Sequence, residues 1–198
     1  MKRKTFDKIA SIIGLLLGAG LLVAGALLSW GGNFAQSQVK DQLSQQKIQF
    51  PATDDAGLAK LPGADGAAMK KYAGMQMTTG DQANTYANHY IKVHMGYVAG
   101  GKMYEEVSGE YIGASAKLAA DPTNADLASQ VAALGGQRQT LFMGSTLRGL
   151  LGFTYAFATL GKIALIASYV AYLGGIFFLI LALLGFAHLR RAATDSEI

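Results

Sequence analysis

The chain has 198 residues, 51% of them hydrophobic and only 15% charged, and it contains no cysteine. About 25% charged is usual for a soluble domain, so this composition suits a membrane protein better than a soluble or disordered one. The missing cysteines remove disulfides, zinc–thiolate sites, iron–sulfur clusters and thiol catalysis. The formal net charge of +4 is not spread over a surface: residues 31–140 hold 9 Lys/Arg against 10 Asp/Glu. The remaining basic residues are Lys2, Arg3, Lys4, Lys8, Arg148, Lys162, Arg190 and Arg191. They flank apolar segments and form no basic stripe, so no nucleic-acid partner is expected.

Ile9 to Trp30 is a run of 22 uncharged residues, about 33 Å as a helix and enough to cross a hydrocarbon core of ~30 Å. It exceeds the 7–15 residues of a signal-peptide core, so a retained anchor is expected. Phe34 to Lys47 can extend this helix outward, carrying Phe34, Val39 and Leu43. Pro51 to Gly66 reads as loop. Thr79 and Gln82 fit a capping box. Ala83, Tyr86, Ala87, Tyr90, Ile91, His94 and Tyr97 follow at helical spacing as an apolar stripe. Gly100-Gly101 interrupts that helix, and a second carries Met103, Tyr104, Val107, Tyr111, Ala114 and Leu118. Asp121-Pro122 reads as an N-cap with Pro at the first helical position, and Gly135-Gly136 as the stop of a third helix.

Two C-terminal apolar runs remain. Gly149 to Gly161 is 13 residues, too short to span, whereas Ile163 to Leu189 is 27 and sufficient. Ser145, Arg148, Gly152 and Thr159 form a narrow polar stripe at helical spacing, which points to an interfacial helix. The positive-inside rule puts Lys2-Arg3-Lys4 and Arg190-Arg191 both in the cytoplasm, and this parity requires two spans; a third crossing through 149–161 is the alternative. The expected fold class is an all-α membrane protein, with two transmembrane helices flanking a helical extracytoplasmic domain. Its order is a cytoplasmic N-terminus (1–8), a span (9–30), the helical extracytoplasmic domain (31–140), an interfacial helix (141–161), a span (162–189) and a cytoplasmic tail (190–198).

Candidate chemistry is sparse. His89, His94, Met75, Met77 and Met95 offer imidazole and thioether groups of the kind that hold Cu(I). However, i and i+5 is poor ligand spacing on a helix, and Met commonly fills core gaps. No metal or other cofactor is therefore expected. Tyr86, Tyr90, Tyr97, Tyr104 and Tyr111 are half-buried helix residues or a partner surface. Glu105, Glu106 and Glu110 beside Lys102 read as a solvated face, and no catalytic residues are assigned. Gly14, Gly18 and Gly25 share one face of the first span, and Ala167, Ala171 and Gly175 repeat every four residues in the second. Small residues let helices approach closely in lipid, so these six are expected to pack against each other or against another subunit.

The stretches Gln76–Gly80, Tyr86–Lys92, Glu106–Tyr111 and Arg138–Gly144, with Leu147–Leu151 after them, resemble a family of small actinobacterial two-span membrane proteins. That family often carries the name "aromatic ring-opening dioxygenase LigA". Ring cleavage of that type needs an iron held by two His and a carboxylate, with further acid–base groups. Three His are present, and His188 lies at the far end of a span, so the required set is missing and no enzyme is expected. The expected function is an accessory, scaffolding or assembly subunit of a cell-envelope complex, respiratory or transport in kind. It would sit multi-pass in the bacterial plasma membrane among lipid and other membrane subunits or copies of itself. The alternative is an extracytoplasmic ligand- or metal-handling membrane protein.

Overall fold

The computed structural model describes residues 3–191; Met1, Lys2 and residues 192–198, including most of the expected cytoplasmic tail, lie outside the described residues. Its elements are α1 (Arg3–Gln46), α2 (Ala56–Ala59), α3 (Gly63–Lys70), α4 (Gly80–Tyr86), a π-helical turn (Ala87–Ile91), α5 (Lys92–Val98), α6 (Tyr104–Ala120) and α7 (Ala125–Arg191). Among the described residues the only strand-like feature is one antiparallel bridge, Gln49 to Gln76. The fold is all-helical. Two of its helices, α1 and α7, are long and apolar enough to cross a membrane. The chain divides into two compact units: residues 1–38 with 159–198, and residues 39–158.

In the first unit the α1 and α7 segments pair antiparallel along a seam of small residues. Ser11, Gly18, Gly25 and Gly32 recur every seven residues on α1, and all are buried. Gly161, Ser168, Gly175 and Ala182 do the same on α7. A seven-residue repeat on both partners holds one face of each helix inward over several turns, as in a left-handed coiled pair. The contacts are tight. A Cβ at Gly18 would lie 2.8 Å from Leu179 Cγ and 3.0 Å from the Gly175 carbonyl oxygen. One at Gly32 would lie 2.8 Å from the Gly161 carbonyl oxygen. The two buried serines are satisfied within their own helices: Ser11 Oγ donates to the Asp7 carbonyl (2.7 Å) and Ser168 Oγ to the Leu165 carbonyl (2.7 Å). Large side chains on the opposite faces, such as Leu16, Val23, Leu27, Ile166, Val170 and Leu173, are exposed.

The second unit closes around an apolar core. Val39 and Leu43 enter it from α1, Met69 from α3, Ala83 from α4, Met95 from α5, Val107 from α6, and Leu141 and Leu151 from α7. Helix α1 stops at Gln46, and Lys47 takes a left-handed conformation (φ 52°) that turns the chain. Phe50 N–H then donates to the Met75 carbonyl (2.9 Å) and Met77 N–H to the Ile48 carbonyl (2.8 Å), which ties the two connecting segments together. Asp55 caps α2 by accepting from Gly57 N–H and Leu58 N–H, so the Pro51–Gly66 stretch expected as loop contains one short helix and the start of another. The Thr79–Gln82 capping box is formed. Gly100 (φ 63°) and Gly101 (φ 91°) make the break before α6, in a region of backbone space that favours glycine.

Two further sequence expectations are corrected here. Asp121 does not start α7: it ends α6, and its carboxylate accepts from Thr123 Oγ1 and Asn124 Nδ2. Asn124 is the cap instead, its Oδ1 accepting from Leu127 N–H at 3.1 Å. Gly135-Gly136 is not a stop, because α7 continues through it to Arg191. A Cβ at Gly135 would meet the Tyr111 ring at 3.4 Å, an ordinary van der Waals contact. Residues 141–161, expected as an interfacial helix leading into the span, and 162–189 belong to the one continuous helix α7.

Candidate functional site

The most distinctive local backbone in the second unit is the π-helical turn Ala87–Ile91, where Lys92 N–H reaches back five residues to the Ala87 carbonyl. Such turns are rare and recur at functional sites. This one inserts an extra residue into the helical repeat. The buried positions therefore run Ala83, Ala87, Ile91 and Met95, one every four, and not Ala83, Ala87, Ile91 and His94. His94, expected on the buried stripe, is exposed; its Nδ1 lies 2.8 Å from the Tyr90 carbonyl oxygen and its ring packs tilted against Tyr90, with centroids 4.3 Å apart.

The turn places Asn88 at the wall of a cleft of about 580 Å³, within the 300–1,000 Å³ range of small-molecule sites. Arg148 of α7 faces Asn88: its Nη2 donates to Asn88 Oδ1 at 3.1 Å, while its Nε is buried with no hydrogen-bond partner. Asn88 is itself held by Asn84, whose Oδ1 accepts from Asn88 Nδ2 at 2.8 Å. Met95 and Met103 supply apolar wall, Gly149 and Gly152 leave the α7 side open, and Ser145, Tyr104 and Glu105 complete the polar lining. A buried guanidinium nitrogen without a partner is costly, and the planar fork of Arg suits carboxylate or phosphate oxygens. The arrangement offers Arg148 as the cationic group of a cleft that also holds Ser145, Tyr104 and Glu105.

Beside the cleft, Arg138 is fixed between aromatic rings. Its guanidinium carbon lies 5.1 Å from the Tyr111 ring and 5.7 Å from the Tyr104 ring, and its Nε donates to Ser108 Oγ at 2.9 Å. Hydrogen bonds from Ser108 and then Arg138 lower the pKa of the Tyr104 hydroxyl. Tyr86 moves the opposite way: burial pushes it up to about 12, with the neighbouring Tyr90 adding to the shift. Compared with known proteins, the chain matches no family model, no curated protein and no solved structure.

The site residues expected from sequence fall into separate places. Gly14, Gly18, Gly25, Ala171 and Gly175 lie in the α1–α7 seam of the first unit, and Ala167 is half-buried at its side. Tyr86 and Tyr90 join Phe50 and Tyr72 in one aromatic chain that continues through His94 to Tyr97. Tyr104 and Tyr111 belong to the Arg138 cluster across the Gly100-Gly101 break. His89 and His94 have different partners, since His89 Nδ1 lies 2.7 Å from Asp65 Oδ1. Met77 is fully buried, Met75 is exposed, and Met95 packs on Gly144 at the cleft. Glu110 pairs with Lys102, and Glu106 accepts from Met103 N–H. Sequence reasoning missed Asn88 as a cleft residue, since nothing in the periodicity announces a π turn. It had a usable signal for the other wall: the Ser145, Arg148 and Gly152 stripe faces the cleft.

Proposed function

We propose that this chain is a membrane-anchored accessory protein of the bacterial plasma membrane, held by an α1–α7 helical hairpin and presenting residues 39–158 outside the cytoplasm. The carrying observation is the division of surface in the first unit: small residues are used up between its own two helices, and large apolar side chains face outward. Two exposed rows of Leu, Ile and Val are unfavourable in water but match a lipid environment. The antiparallel pairing brings Arg3 within 3.5 Å of His188, so the basic ends of α1 and α7 lie together, which supports a reading with both on the cytoplasmic side. The seam is satisfied internally, so partner subunits of an envelope complex would dock elsewhere. The second reading, ligand handling, is favoured by the Arg148 cleft.

The test is the accessibility of single cysteines in this cysteine-free chain. A cysteine replacing the exposed Thr123 should react with a membrane-impermeant thiol reagent in intact cells, and one replacing Ser196 should react only after permeabilisation. Equal labelling of both, or release of the protein by alkaline carbonate, overturns the reading.

A further inference from the structure

We infer that residues 142–157 of α7 form a self-pairing face, and that a second copy of this chain covers it. The inference names a partner for the membrane-anchored protein proposed above and rests on that reading.

Phe142, Thr146, Leu150, Phe153 and Phe157 recur every three or four residues on α7, with Met143 at their edge, and so share one face of the helix. Leu151 and Ala158 are buried on the opposite side, whereas Phe142, Met143, Leu150, Phe153 and Phe157 are 43–76% exposed. Elsewhere in residues 39–158 exposed apolar side chains are scattered singly, as at Met75, Tyr97 and Ile112. A contiguous patch of this kind marks an interaction surface.

Lipid does not account for it. From Phe142 to Leu184 the exposed apolar side chains of α7 extend over 43 residues, about 64 Å of helix against a hydrocarbon core of ~30 Å. A bilayer that covers the proposed span at 162–189 leaves residues 142–157 outside it.

Charge, relief and size then select a copy of the same chain. A face that meets its own copy sets each charged side chain beside an identical one, and the two repel. Between Arg138 and Lys162 the only charged residue is Arg148, and its guanidinium is held at Asn88, off this face. The bulky Phe142, Leu150 and Phe153 alternate with the small Thr146 and Gly149, and a Cβ at Gly149 would meet nothing within 4 Å. Large side chains of one copy therefore have gaps to fill on the other, as a two-fold interface requires. At ~200 Å² for a fully exposed large side chain, the five offer about 550 Å² per copy, so a pair buries about 1,100 Å², above the ~1,000 Å² that a specific interface needs. Membrane anchorage supplies the geometry: copies held in one orientation at one height meet this face to face about an axis normal to the bilayer.

The experiment uses the full cysteine-free chain in the membranes of the expressing cells. A single cysteine is placed at the centre of the face (Thr146→Cys) or one position away on the cleft side (Ser145→Cys) and oxidised with copper phenanthroline. Both positions are exposed. Thr146→Cys should give a disulfide-linked dimer at least tenfold more than Ser145→Cys. Adding Phe153→Gln, at a position 76% exposed and outside the core, should keep the helical circular dichroism and lower the Thr146→Cys dimer at least fivefold. Equal cross-linking at the two positions, or a linked dimer unaffected by Phe153→Gln, overturns the inference. So does a chain that stays unlinked or is linked to a different protein, since lipid or that protein would then be the occupant. Each of these results leaves anchorage standing if the protein still resists alkaline carbonate, so failure here is separable from failure of the membrane reading.

Discussion

Gly18→Ile tests the hairpin most directly, and Gly20 provides a matched control two residues away. At Gly18 the first added carbon would already lie 2.8 Å from Leu179 Cγ, 2.9 Å from Leu179 Cδ2 and 3.0 Å from the Gly175 carbonyl oxygen. Leu179 can rotate aside, but a backbone oxygen cannot retreat without moving α7. At Gly20 nothing lies within 4 Å, so the same branched side chain meets open space. Overpacking of this kind costs about 1–3 kcal/mol. At roughly 2–4 °C per kcal/mol for a chain of this size, the melting temperature in detergent should fall by about 2–12 °C for Gly18→Ile. Gly20→Ile should stay within about 0.5 kcal/mol of the unaltered protein. Thermal unfolding followed by circular dichroism, with Trp30 fluorescence as a second probe, reads both. Equal destabilisation by the two variants, or none by Gly18→Ile, refutes the assignment of the seam.

In the second unit, Gly80→Ala should destabilise by about 1–3 kcal/mol in denaturant titration, because its Cβ would run into Ala158 Cβ with the Tyr155 backbone behind it. Gln82→Ala should cost a similar ~1–3 kcal/mol, since the buried Oε1 accepts from Thr78 N–H (2.7 Å) and Thr79 N–H (3.0 Å) and both donors would be orphaned. Alkaline titration followed by tyrosinate absorbance should show one phenol ionising near 12, absent in Tyr86→Phe. Because the folded pKa of Tyr86 lies above its unfolded value near 10, its contribution to stability is complete below pH 10 and is lost as pH rises toward 12. The alkaline loss of stability over that window should therefore be smaller in Tyr86→Phe.

Helix identity and the strong caps were legible in the sequence because they depend on neighbours a few residues away. The Thr79–Gln82 box and the Gly100-Gly101 break are of this kind. Elements decided at long range were not legible. Gly135 resembles a stop, yet α7 runs on through it and lies against the Tyr111 ring, 24 positions earlier. Asp121 resembles an N-cap, yet the helix starts after Asn124 because Asp121 is held as the end of α6. The π turn was invisible for a related reason: the stripe through Tyr90 and His94 scores as well as the one through Ile91 and Met95, and only core packing chooses between them. The small residues of both apolar helices were legible as packing positions, but their partner was not. Noting that Ser11, Gly18, Gly25 and Gly32 repeat every seven would have pointed to a paired helix sooner than the four-residue spacing of Gly14 and Gly18.

The same repeat raises a question of alignment. Sliding α1 by seven residues, about 10.5 Å along its axis, brings small residues opposite small residues again. The small residues therefore set how closely the helices approach without determining which of the equivalent alignments is adopted. That choice falls to the bulky neighbours. Tyr172 lies against Gly25, Leu179 against Gly18 and Leu165 against Gly32. The α1 positions form a ruled scale of equal steps, and the large α7 side chains act as the unequal pins that hold it at one mark. Trimming Tyr172 and Leu165 to alanine would leave the close approach intact while removing two of those pins, and the hairpin would then be free to sample a neighbouring mark.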